Sequence, residues 1–159
     1  MSEAVQTHKK LASWREILEH NKEAFAQALP SVGLTPERVI RTALTAMRQN
    51  IDLTKCEPKS VVASLLQACE LGLSVSNTLG HCYLVPFNNT KKGIKECTMI
   101  IGYRGFTQLA MRSGKVNPIQ TFIVYEKEPF TISGGSYPRI EHTPLPPAAR
   151  GEKKIGVYA

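Results

Sequence analysis

The sequence predicts an α+β fold: N-terminal helices packed on a β-hairpin-rich antiparallel sheet, with a short helix after the first hairpin. Two observations predict it. Up to about residue 72, apolar residues recur at helical spacing, punctuated by N-cap and stop signals. Beyond residue 80 the chain turns to short apolar, β-branched and aromatic runs separated by Gly, Asn and Pro. With 159 residues, 42% hydrophobic and 21% charged, it can bury a sizeable core. No run approaches the roughly 18–20 apolar residues of a membrane span. The start, Met1 to Lys10, lacks the apolar stretch of a secretory signal, so a cytoplasmic protein is expected. Residues 1–10 are expected to form a flexible N-terminus and residues 11–159 one α+β domain.

Each element follows from local chemistry. Leu11, Trp14, Leu18, Phe25 and Leu29 fall near helical spacing, predicting a helix over 10–29 that Pro30 and Gly33 end. Thr35 then offers an N-cap, Pro36 the first helical position, and Glu37 a negative charge at the positive end of the dipole. That helix runs to about Asn50. Val39, Ile40, Ala43, Leu44 and Met47 share one face, and Arg38, Arg41, Thr45 and Arg48 the other. Pro58 opens a third helix with the stripe Val61, Val62, Leu65, Leu66 and Cys69, and Gly72 stops it.

His81 to Phe87 reads as a buried strand with Pro86 near its end, and Cys97 to Tyr103 as another. Asn88 to Glu96 makes a long connection with a basic tip. Arg104 to Ser113 forms the short helix, closed by Gly114. Its Arg104, Gln108 and Arg112 share a face at i, i+4 and i+8, while Phe106, Leu109, Ala110 and Ser113 point to the core. Val116 to Glu126 and Phe130 to Ile132 are strand-like, Gly134-Gly135 makes a turn, and Tyr137 to His142 is the return strand. After a loop with three prolines, Lys154 to Ala159 begins a strand whose partner is unspecified. That ending suggests the front part of a longer chain, with the domain incomplete at its C-terminal end.

Twenty Lys and Arg against thirteen Asp and Glu leave a net +7, a long-range attraction for polyanions, most often nucleic acid. Residues 1–80 carry +1 of it and residues 81–159 carry +6. From Lys91 to Lys115 six bases face one acid, Glu96. Cys56, Cys69, Cys82 and Cys97 form no C-x-x-C pair and are expected as buried, reduced thiols rather than zinc ligands. There is no G-x-x-x-x-G-K-[ST] phosphate loop, H-E-x-x-H, G-x-S-x-G or dense acidic cluster, so neither a catalytic residue nor a metal site is expected. His142 beside Glu141 offers an acid–base pair, although a His next to an acid is far more often structural.

What stands out is a binding constellation. Gly102-Tyr103-Arg104-Gly105 lies where a strand gives way to a helix. Gly102 and Gly105 would let a phosphate backbone come close, and the helix N-terminus offers N–H groups and a positive dipole end. Arg104 can engage phosphate oxygens with two donors, and Arg112 extends the track two turns on. Tyr103 has two readings: a stacking surface for a base, worth roughly 1–3 kcal/mol, or a ring packed inward. Lysines at the hairpin tip could clamp the other side of a bound strand.

The sequence resembles the RecT family of phage-type single-strand annealing recombinases. The resemblance is carried by Leu34-Thr35-Pro36-Glu37-Arg38 with Ile40-Arg41, by Gln67 to Leu73, and by Leu79 to Phe87. Its most specific part is Ile100 to Gly105, followed by Leu109-Ala110 and Arg112-Ser113-Gly114, with His142-x-Pro144 and Val157-Tyr158-Ala159 at the end. It implies an ATP-independent, non-catalytic protein that binds single-stranded DNA and anneals complementary strands in homologous recombination. It also implies a homo-oligomer, ring or filament, working beside a partner exonuclease. No cofactor is required on this view, and Mg2+ could accompany the nucleic acid. Family members run on well past the position of Ala159. The implied DNA contacts are Lys91, Lys92, Lys95, Tyr103, Arg104, Arg112 and Lys115. Pairing is already downhill by about 1.4 kcal/mol per base-pair step, so a protein need only lower repulsion and hold strands open. Two other classes stay open: a nuclease with its ligands in a missing tail, and an assembly module using Arg38, Arg41 and Arg48.

Overall fold

The computed structural model describes residues 3–30, 33–116 and 119–159. The chain forms two compact units, Met1–Lys115 and Val116–Ala159. The first holds α1 (Glu3–His20), α2 (Lys22–Ala28), α3 (Pro36–Gln49), a 3-10 turn (Ile51–Lys55), α4 (Pro58–Glu70), β1 (Cys82–Asn89), β2 (Ile94–Ile101) and α5 (Tyr103–Arg112). The second holds β3 (Phe122–Tyr125), β4 (Phe130–Ser133), β5 (Arg139–His142) and β6 (Lys154–Tyr158). Helices with antiparallel strand pairs make this an α+β fold.

In the first unit α1 begins at Glu3. The single helix expected over 10–29 is two. Asn21 Nδ2 donates to the Ile17 carbonyl at 2.8 Å, a side-chain bond that competes with the backbone ladder where α1 ends. Trp14, Leu18 and Phe25 are buried as the spacing requires. α3 starts as its sequence dictates: Thr35 Oγ1 accepts from the Arg38 N–H at 3.3 Å, with Pro36 in the first turn. Its buried face is Val39, Ile40, Ala43, Leu44, Ala46 and Met47. α4 stops at a left-handed Gly72, φ +59°. Fully buried Leu18, Phe25, Leu65 and Leu73 each contribute about 1.5–3 kcal/mol of transfer free energy.

The β1–β2 hairpin lies against α4 and the 3-10 turn. Both strands run further toward the tip than expected: Asn89 pairs with Ile94, leaving only Thr90–Gly93 as the turn. β2's outer edge is satisfied by α4 and the residue before it. Glu57 N–H donates to the Lys95 carbonyl at 2.8 Å, Cys97 N–H donates to Ser60 Oγ at 2.9 Å, and Ser64 Oγ donates to the Cys97 carbonyl at 3.0 Å. Because Cys97's backbone groups turn to α4, the facing position on β1 needs no N–H, and Pro86 stands there. β1 is not a buried strand throughout. Cys82 and Leu84 face the core, while Tyr83, Val85 and Phe87 are exposed.

In the second unit, β6 pairs antiparallel with β3 and β4 with β5, which supplies the partner that the sequence left open for the last strand. A buried hydrogen-bonded hub links these pairs. His142 Nε2 lies 3.2 Å from Glu128 Oε2, and its Nδ1 lies 3.0 Å from Tyr158 Oη. The same carboxylate accepts from the N–H groups of Tyr125 (2.7 Å) and Leu145 (3.0 Å). Burial pushes the Glu128 pKa up, but those two amides and the His142 ring outweigh it and hold it below the ordinary range. An ionised carboxylate only accepts, so Nε2 carries the proton between them. Phe122 and Phe130 stack on Tyr158 and meet His142 edge-on. Glu141, the neighbour expected as the acid–base partner of His142, instead pairs with Arg139 at 3.1 Å.

Candidate nucleic-acid interface

The site is built where β2 ends and α5 begins. Gly102 caps α5, donating its N–H to the His81 carbonyl at 2.9 Å. A Cβ at Gly102 would lie 2.5 Å from the Gly80 oxygen, and one at Gly105 would lie 2.1 Å from the His81 oxygen. These glycines bring the chain close to itself, not to an open surface. The Gly105 N–H bonds the Gly102 carbonyl. By helix geometry the remaining first-turn donors are the amides of Tyr103 and Arg104.

Those two residues stand open. Tyr103 is 74% exposed, which decides against the inward-packed reading. Arg104 Nε donates to Tyr103 Oη at 3.0 Å, and its guanidinium lies 5.7 Å from that ring's centre. The Tyr83 side chain lies beside Gly80 and Gly102, with the Arg104 side chain also at Gly80, so a second tyrosine adjoins the pair. From Tyr83 the uncovered face of the hairpin continues through Val85 and Phe87, with Ile100 opposite Tyr83. Phe106, expected in the core, is 60% exposed, and Ser113 is exposed too; of the expected inward face, Leu109 packs on the core.

The six bases separate into distinct roles. Lys92 Nζ bonds Glu96 at 2.8 Å, and Lys95 Nζ lies 3.6 Å from Asp52. Each carboxylate is held below its ordinary pKa, Glu96 by hydrogen bonds from Lys92 and Asn89, Asp52 by Lys55 and then Lys95. Arg112 donates to the Leu71 carbonyl at 2.9 Å and the Gly72 carbonyl at 3.4 Å, closing the C-terminus of α4. Lys91 and Lys115 are exposed and have no ion pair among the described residues. The tip lysines also stand far from α5. Along β2 from Ile94 to Ile101, seven steps of about 3.3 Å put the tip roughly 23 Å away.

Sequence reasoning missed Tyr83. Period-2 alternation around buried Cys82 and Leu84 was the available signal, masked because both faces of β1 are apolar. The four thiols are buried and free, and burial pushes Cys82 to about 12 and Cys69 and Cys97 to about 11. No group of three or more His, Cys, Asp or Glu among the described residues could hold a metal ion.

Residues 37–159 match the model of the RecT family. The chain belongs to that family. It is 40% identical over 125 residues to Protein RecT of Escherichia coli (strain K12), covering 77% of this chain and 46% of that protein. It is 32% identical over 76 residues to the uncharacterized protein YqaK of Bacillus subtilis (strain 168), covering 48% of this chain and 25% of that one. The chain thus spans less than half the length of either relative. Several residues that carry the RecT resemblance are joints of the structure: Gly102 and Gly105 against the Gly80–His81 backbone, Arg112 on the end of α4, and His142 on Tyr158. Tyr103 and Arg104 carry it too, and they are exposed.

Proposed function

We propose that this chain binds single-stranded DNA and anneals complementary strands in homologous recombination, without ATP hydrolysis and without catalytic residues of its own. The observation that supports this best is the open Tyr103–Arg104 pair on the first turn of α5, in a chain of the RecT family. The strand follows the uncovered hairpin face from Lys91 past Phe87, Val85 and Tyr83 to Arg104. At 3.4 Å per nucleotide, 23 Å accommodates about seven. Tyr103 and Tyr83 supply stacking surfaces, and Arg104, Lys91 and Lys115 meet phosphates. Lys92 and Lys95 contribute less, since their charges already face Glu96 and Asp52, while Arg112 places two of its five donors on the α4 carbonyls and keeps three. The active form on this reading is a cytoplasmic homo-oligomer, ring or filament, fed by a partner exonuclease. It needs no cofactor, and Mg2+ enters only with the nucleic acid.

The test is binding of a labelled oligonucleotide across a salt series, followed by addition of its complement without nucleotide triphosphate. Arg104→Ala is expected to flatten the slope of log K against log salt by about 0.7, one phosphate on a single strand. Lys92→Ala is expected to change it less. Complementary strands are expected to pair faster with the protein than without, with the label intact. An Arg104→Ala slope equal to wild type removes this site from the reading, and loss of label on adding magnesium favours a nuclease.

A further inference from the structure

A cleft of about 310 Å³ opens in the first unit where the start of α3, the end of α4, the start of β1 and the outer face of α5 meet. That volume is at the small end of the range for small-molecule sites, about 300–1,000 Å³. Its lining includes Arg38, His81, Gln108 and Arg112, and no carboxylate among the described residues. The side chains of Arg38, His81 and Gln108 have no hydrogen-bond or ion-pair partner among the described residues. Arg112 is fixed from behind: two of its five N–H donors hold the Leu71 and Gly72 carbonyls, and Gly72 lies so close to the guanidinium that a Cβ there would be 2.8 Å from Nη1. The other three donors remain. Two guanidinium groups without a carboxylate partner, one of them pre-oriented, suit an oxyanion with several acceptor oxygens. The imidazole and amide beside them suit a base edge or sugar hydroxyl. The polar side of the lining suits an anion with a polar body, and Pro30, Leu34 and Leu79 form the apolar remainder.

We propose that this cleft is a nucleotide subsite: Arg38 and Arg112 hold a nucleotide phosphate, and His81 and Gln108 contact the base or sugar attached to it. The proposal deepens the strand-binding reading and rests on it for the ligand's source. Gln108 and Arg112 follow Arg104 on one face of α5 at intervals of four residues, about 6 Å per step. A strand leaving Arg104 along that face arrives at the cleft.

The experiment has two arms, both on the full chain. In the first, thymidine 5′-monophosphate is titrated while the His81 ring resonances are followed by NMR, in wild type and in Arg38→Ala. In the second, the salt slope for an oligo-dT is measured for wild type, Arg38→Ala, Gln108→Ala and Arg104→Ala. Arg38→Ala keeps the α3 cap, which uses the backbone N–H of residue 38, and unchanged Trp14 fluorescence verifies the fold. The expected result is a saturable His81 shift that Arg38→Ala abolishes, a slope flattened by about 0.7 in Arg38→Ala, and weaker oligo-dT binding in Gln108→Ala. If Arg104→Ala flattens the slope while Arg38→Ala does not and His81 stays still, the subsite is overturned and strand binding stands. If thymidine 5′-monophosphate moves His81 in wild type alone but no oligo-dT binds, the subsite stands for a free nucleotide and the strand reading falls.

Discussion

Replacing Gly105 with alanine tests the argument about how α5 is seated. In an ordinary helix interior Gly→Ala stabilises by about 1 kcal/mol, and Gly105 lies in α5 with no positive φ to forbid a side chain. Space forbids it instead. The new Cβ would lie 2.1 Å from the His81 oxygen and 2.8 Å from Ile101 Cγ2. The oxygen belongs to backbone and cannot swing aside, so α5 must lift from the hairpin by about 1 Å to reach ordinary contact. That movement strains the 2.9 Å bond from Gly102 N–H to the same oxygen, about 1 kcal/mol. Overpacking of a close contact adds about 1–3 kcal/mol. Set against the helix gain, the net is a loss of about 1–3 kcal/mol. The assay is urea unfolding followed by tryptophan fluorescence. The chain's single tryptophan, Trp14, is buried in the first unit with Nε1 donating to the Thr54 carbonyl at 3.2 Å, so the signal reports that unit. A Gly105→Ala protein as stable as wild type, or more so, would refute the reasoning.

Three further outcomes are expected. Ser64→Ala removes the buried hydroxyl that serves the Cys97 carbonyl, and the urea midpoint should fall by the equivalent of about 1–3 kcal/mol with the slope unchanged. Glu128 has a lowered pKa in the folded state, so its contribution to the second unit is present above the ordinary carboxylate pKa and is lost as pH falls through the lower folded value. Glu128→Gln should flatten that acid limb when tyrosine near-UV dichroism is followed against pH. The thiols of Cys69, Cys82 and Cys97, pushed to about 11, 12 and 11, should resist iodoacetamide at pH 8 in the native chain and react once urea unfolds it.

Much of the fold was legible because local chemistry determines it. Thr35-Pro36 starts a helix through a cap bond and a preset φ, and Gly72 ends one through a left-handed backbone; both act within a few residues of themselves. Partnerships made by distant residues were not legible. His142 has Glu141 beside it in sequence but Glu128 and Tyr158 beside it in space, and nothing local distinguishes the three. The break at Asn21 depends on one amide reaching back to Ile17, which apolar spacing does not register. β1 reads as buried because its outward residues Tyr83, Val85 and Phe87 are as apolar as its inward ones, so alternation carries no polarity contrast.

The candidate site was legible in its charge and only partly in its geometry, for a physical reason. Composition counts bases, whereas binding depends on bases whose field is not already met. Between Lys91 and Lys115 the sequence has six bases and one acid, which suggests a continuous cationic track. In the fold, Asp52 arrives from a distant segment to meet Lys95, Glu96 meets Lys92 across the turn, and the carbonyls ending α4 engage Arg112. What remains without a carboxylate is sparse: Lys91 at the tip, Arg104 on α5, Arg112 with three donors beyond the α4 carbonyls, and Lys115 after it. A sparse set of charges beside an uncovered aromatic and aliphatic face holds a strand differently from a dense one. On the proposed strand-binding reading, more of the contact free energy would come from stacking and apolar contact, which salt does not screen, and less from counterion release. That balance fits the proposed annealing role, in which a strand is held and then released to a complement: bases stacked on Tyr83 or Tyr103 would exchange one π-surface for another as the duplex forms.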